Sequence, residues 1–278
     1  MPGTGIVAIL PPIPVDAGRL HVKPTHAHTL VTTHVFARER APMARPGHLP
    51  ARFDRLTFAS GIVSSVVFLV GAVLFIGVIA PQMPSFGSPA EQMATFYREM
   101  GRDGIYRTIS YLGEMQMMLL LVFFGGLFGV LRQAEDGNAA LSFAVFAAGI
   151  ALAVILPLAI YIEDHLMLGF AARRIDPVIV AAIDGLGPLA FALGGFPQTV
   201  ILVGTALLLY RDAIVPRPIL WFGVFVAVVG LAGTGTLVRG ALFPVSSLAM
   251  ILFRIWLLAL SIALFRRAGR SDRVRELA

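Results

Sequence analysis

The sequence predicts an all-α polytopic membrane protein, a bundle of six transmembrane helices. Three observations carry this. Hydrophobic residues make up 57% of the chain and charged residues only 14%, against roughly 25% charged in soluble domains. Six apolar segments, each more than 20 residues long, can cross a hydrocarbon core of about 30 Å as helices. None shows the strict alternation of a lipid-facing barrel strand, and helices are the other way to satisfy backbone groups in lipid.

Residues 1–55 form a basic tail, expected to be disordered. It is rich in proline, holds five of the six histidines and contains no long apolar run. Met43 stands just before ARPGHLPARFDRLTF, a basic approach to a first span, so residues 1–42 read as sequence upstream of the true start. His26, His28 and His34 match no metal-ligand template. The membrane domain covers 56–266, with spans at Phe58–Ala80, Ile109–Leu131, Ala139–Ile162, Pro188–Tyr210, Pro218–Val238 and Phe243–Phe265. A basic tail, 267–278, closes the chain.

Two shorter elements interrupt the spans. SPAEQMATFYREMG places Ser88, Pro89 and Glu91 in a capping-box pattern, sets Met93, Tyr97 and Met100 on one face and stops at Gly101. It predicts a surface helix between spans one and two. IDPVIVAAIDGLGP offers Asp176 as a cap and Pro177 as the first helical residue, with Gly185, Gly187 and Pro188 breaking the pattern. This favours a short interfacial or re-entrant helix before span four. Its rival starts the fourth span at Pro177, with Asp184 buried.

Arginine sets the orientation, because Lys23 is the only lysine. Arg40, Arg45, Arg52 and Arg55 precede span one, and Arg266, Arg267, Arg270, Arg273 and Arg275 follow span six. Arg98, Arg102, Arg107, Arg173, Arg174 and Arg239 are spread over the other side. The bias puts both termini in the cytoplasm of a bacterial inner membrane. An even number of spans agrees. The net charge of +6 therefore points to a membrane surface rather than to nucleic acid.

Polar residues at membrane depth are the candidate functional groups. Arg254 stands midway between Phe243 and Phe265 in span six. In span four, Pro197 leaves the carbonyl of Leu193 without its helical donor, next to Gln198 and Thr199. Transporters build binding sites from broken helices of this kind. Glu114 interrupts the apolar stretch LGEMQMMLLLVFF. Arg254 is expected to face the bundle and meet Gln198, Glu114 or both, forming an anion-binding site between spans two, four and six. The same contacts are equally expected if they only glue helices together. At the end of span three, Glu163, Asp164 and His165 stand side by side, and Asp184 lies at the same level. They are either ordinary span ends solvated by headgroups or, with Glu114, ligands for a divalent metal. No other cofactor is suggested. Gly125–Gly129 and Gly230, Gly233 and Gly235 mark close helix packing, within one chain or across a dimer.

Several chemistries find no motif. The sequence has no cysteine, no G-x-x-x-x-G-K-[ST], no G-x-S-x-G and no H-E-x-x-H. LLLYRDAIVPRPILWFGVFVAVVGL, Leu207–Leu231, resembles a family of uncharacterised bacterial multi-pass membrane proteins grouped as a domain of unknown function. That resemblance implies a six- or seven-span bundle and no activity. Three functional expectations remain. The first is a small transporter-like or ligand-binding membrane protein. The second is a membrane-embedded metal-dependent hydrolase using Glu163, Asp164, His165 and Asp184. The third is a non-catalytic partner subunit.

Overall fold

The structure, a computed structural model, describes residues 51–84, 88–135, 139–211 and 214–277. It gives no account of the side chains of 51–54, 159–163 and 270–277. The tail with His26, His28 and His34, and the start at Met43, lie outside the described residues.

Among the described residues there are eight α-helices and no strand. They are α1 (Ala51–Leu74), α2 (Ala90–Met100), α3 (Gly104–Ala134), α4 (Ala140–Ala172), α5 (Pro177–Asp184), α6 (Leu186–Leu209), α7 (Arg217–Gly233) and α8 (Phe243–Leu277). Six helical stretches are long and apolar enough to cross a membrane, as expected of a polytopic membrane protein. α1 runs on through a π-helical turn, Phe75–Ile79, and a 3-10 turn, Ala80–Gln82. α8 continues to Leu277, so the stretch expected as a C-terminal tail extends the last helix.

The six long helices form a closed ring in chain order. α1 packs on α3, α3 on α4, α4 on α6, α6 on α7, α7 on α8, and α8 returns to α1. Buried Phe123, Phe124, Leu156, Ile201, Phe253 and Trp256 fill the middle. Outward-facing Val63, Val70, Phe143, Leu158, Trp221 and Val228 leave an apolar surface suited to lipid. Arg55, near the start of α1, stacks on Phe265 of α8 with its guanidinium carbon 5.9 Å from the ring centre. That contact ties the two terminal helices together. At this end Glu135 accepts the amides of Leu141 at 2.8 Å and Ser142 at 2.7 Å, satisfying open donors of α4.

The opposite end carries α2 and α5 and has its own small core. Met93, Tyr97 and Met100 of α2 are buried there with Met167, Ala171 and Val180. The predicted face of α2 is therefore the packed one. Its start is one residue late: Pro89 is the N-cap, not the first helical residue. Asp176 caps α5 as expected, accepting from the amide of Val178 at 2.9 Å. Gly185 alone separates α5 from α6. α5 is thus a distinct short helix, but almost continuous with the span that follows.

The glycine stripes need one correction. Gly126, between the two glycines that the spacing favours, sits tightly against Thr57 of α1, whereas Gly125 and Gly129 face open space. At Gly195 a Cβ would lie 2.6 Å from the carbonyl oxygen of Gly230. That close crossing locks α6 to α7.

Candidate functional site: an arginine groove beside the α2 and α5 end

Two turns build this site. α2 ends at Met100, and the turn Gly101–Asp103 leads directly into α3. Asp103 caps α3 by accepting the amide of Ile105 at 2.8 Å. α4 ends beside them in two backbone bonds. Arg174 N–H donates to the carbonyl of Ala171 at 3.2 Å, and Ile175 N–H to that of Phe170 at 3.1 Å. This pattern puts Arg174 in the left-handed position that glycine usually takes. Its φ of 57° is the only positive value outside glycine among the described residues.

Between these turns lies a groove of about 640 Å³ lined by Arg98, Arg102, Arg107 and Arg174. Arg98 Nε donates to the carbonyl of Ala171 at 3.2 Å. Arg107 donates to the carbonyl of Gly101. Both arginines are thus tethered to helix-terminal carbonyls, which favour positive charge. Farther along, Ser110, Tyr111, Glu114 and His165 complete the lining. Glu114 Oε1 is 3.9 Å from His165 Nδ1, and both side chains are about half-exposed or more. Four arginines and one glutamate are thus among the residues that line the groove. The N-terminus of α3 adds the positive end of a helix dipole.

The neighbouring acidic residues do something else. Asp184 Oδ1 accepts from the hydroxyl of Tyr97 at 2.6 Å. Asp164 accepts from the hydroxyl of Tyr106. Burial is the main cause that raises the Asp164 carboxyl to about 6; the Tyr106 hydroxyl and His165 oppose it, and Asp184 adds to it. Burial, with the carboxylate of Asp184 beside it, drives the Tyr97 phenol far above its usual range. These bonds pin α2 to α5 and α3 to α4. The triplet at the end of span three therefore splits. Asp164 turns to the Tyr106 hydroxyl and His165 lines the groove. The side chain of Glu163 lies outside the described ones. Among the described residues no three His, Asp or Glu side chains gather where they could hold a metal ion.

Arg254 is fully buried and turned toward the other helices. Its contacts include three side chains that the sequence does not single out. Nη1 donates to Ser64 Oγ at 3.4 Å and Nη2 to Met117 Sδ at 3.6 Å, and Cζ stands 4.6 Å over the ring of Phe68. Ser64 Oγ also lies 3.1 Å from Gln116 Oε1 and 2.9 Å from the Gln116 carbonyl. This polar layer joins α1, α3 and α8. Gln198 reaches α8 one turn earlier, donating to Met250 Sδ at 3.2 Å. Glu114 stands beside His165 instead. Arg254 and Gln198 thus each tie α8 to a neighbouring helix, and Glu114 lines the groove.

Sequence reasoning misses the arginine groove and the two tyrosine–aspartate bonds. A signal for the groove is nonetheless present. Arg98, Arg102 and Arg107 stand close together in the sequence around the turn at Gly101, and Arg174 stands at the turn at Arg173. No protein-family model, curated protein or solved structure matches the chain. What the protein does has to follow from its own side chains.

Proposed function

We propose that the protein is a ligand-binding membrane protein, and that its ligand presents a compact anionic group to the arginine groove. The presence of four arginines in the lining of one groove carries this reading. Guanidinium groups bind carboxylate and phosphate through paired N–H donors. An anion bound in the groove would be attracted by these positive charges. The left-handed Arg174 supports the same conclusion, since glycine would hold that turn at lower cost. The arginine excess at the termini supports a cytoplasmic location for that end, so the groove would face the outside of a bacterial inner membrane.

The test is thermal unfolding of the protein in a neutral detergent, titrated with glycerol 3-phosphate and with short-chain dihexanoyl phosphatidate. Saturable stabilisation by at least one of them is expected, and its loss in Arg102→Gln/Arg107→Gln. If neither anion stabilises the protein, or the double variant responds as the wild type does, the anion-binding reading is wrong.

A further inference from the structure

Building on the anion-binding reading, we infer that the ligand is a lipid: a phosphate-bearing headgroup held by the arginines, with its acyl chains lying down the outer faces of α3 and α4. Exposed apolar side chains continue from the groove lining along α3 and α4. Tyr111, which lines it, begins a row on α3 that continues through Met115, Met118 and Val122. These positions are spaced four, seven and eleven residues from Tyr111 and so share one helix face. All four side chains are exposed, Met118 at 68%.

α4 repeats the arrangement. His165 lines the groove, and Leu158 and Val154, seven and eleven residues before it, are exposed on the same face. Two apolar rows therefore descend from one cationic pocket. The pocket lies where spans end, the level of phosphate in a bilayer, and its charge is opposite to that of an anionic headgroup. A soluble phosphate would use the arginines and leave both rows idle. An anionic lipid uses both, and the flexible methionines of α3 suit chains of varied shape.

The decisive comparison holds the headgroup constant. Dihexanoyl phosphatidate, below its micelle concentration, and glycerol 3-phosphate carry the same phosphate with and without chains. The lipid is expected to bind the protein at least about tenfold more tightly, since every methylene it buries adds to the favourable transfer from water. Met115→Ser/Met118→Ser should shrink that ratio toward one, while Val70→Ser/Val73→Ser on α1, which is also exposed to lipid, should leave it unchanged. Equal midpoints for the two ligands in the wild type would overturn the lipid assignment and leave the anion groove standing. Stabilisation by zwitterionic dihexanoyl phosphatidylcholine as strong as that by phosphatidate would overturn it too. Stabilisation by neither phosphate compound would remove the groove reading and this inference together. The wild-type ratio decides the matter even if the methionine variant does not fold.

Discussion

Arg254 allows a quantitative test of what holds a cation inside an apolar bundle. Its guanidinium carbon lies 4.6 Å from the centre of the Phe68 ring, well within the reach of about 6 Å for a cation–π contact. The side chain is 0% exposed, so the contact belongs at the desolvated end of the range, about 2 kcal/mol. The hydrogen bonds to Ser64 and Met117 are long and add roughly 0.6 kcal/mol each, the average for membrane bundles. Together these favourable terms come to about 3 kcal/mol, close to the ~2.5–3.5 kcal/mol that a midplane arginine costs. Phe68→Leu should be much more harmful in the wild-type background than in the Arg254→Met background. We expect a coupling of about 2 kcal/mol from the double-mutant cycle. The assay is reversible unfolding in mixed dodecyl maltoside and dodecyl sulfate micelles. A coupling below about 0.5 kcal/mol would refute the ring as the principal support of the charge.

Four further outcomes are expected. Arg174→Gly removes a left-handed non-glycine residue and should stabilise the protein by about 1 kcal/mol in chemical unfolding, while weakening glycerol 3-phosphate binding. Glu114→Gln takes the carboxylate out of the groove and should strengthen binding of the same probe several-fold, read by calorimetry. Gly195→Ala should cost more than about 2 kcal/mol of stability, because the carbonyl it strikes belongs to the backbone of α7, whereas Gly125→Ala should be neutral or gain up to about 1 kcal/mol. Asp164 has its carboxyl raised from 3.8 to about 6. The folded state then holds more protons than the unfolded state between those values, so stability falls as pH rises from about 4 to about 6. Denaturation curves of Asp164→Asn should lack that part of the fall.

Most of the architecture can be read from composition and periodicity. A run such as Phe243–Phe265 has few alternatives in water or lipid, so the six spans follow from it and its counterparts directly. Met93, Tyr97 and Met100 show the packed face of α2 by spacing alone. The site is harder for a physical reason. Helix rotation about its own axis decides which neighbour a polar residue meets, and a nearly all-apolar span gives little periodic contrast to set that rotation. Arg254 can be assigned to the interior because solvation demands it. Its partners Ser64, Met117 and Phe68 cannot, since none of them is conspicuous in its own span. Asp164 and His165 illustrate the same limit. Adjacent in sequence, they point about 100° apart on a helix with 3.6 residues per turn, and so serve different neighbours. The phenols of Tyr97 and Tyr106 carry no signal of their own, because single polar residues near span ends are common and mostly meet headgroups or water.

The guanidinium of Arg55 lying against Phe265 has a consequence for how the chain can be assembled. All other neighbours in the ring are successive segments and can associate as soon as each leaves the translocon. The seam between the first and last segments must wait for synthesis to finish. Until then the polar layer of Ser64 and Gln116 lacks its cation, and truncation before α8 should leave an open horseshoe that quality-control proteases recognise. Joining the two ends by a covalent linker and opening the chain elsewhere would move that seam without disturbing the finished barrel of helices.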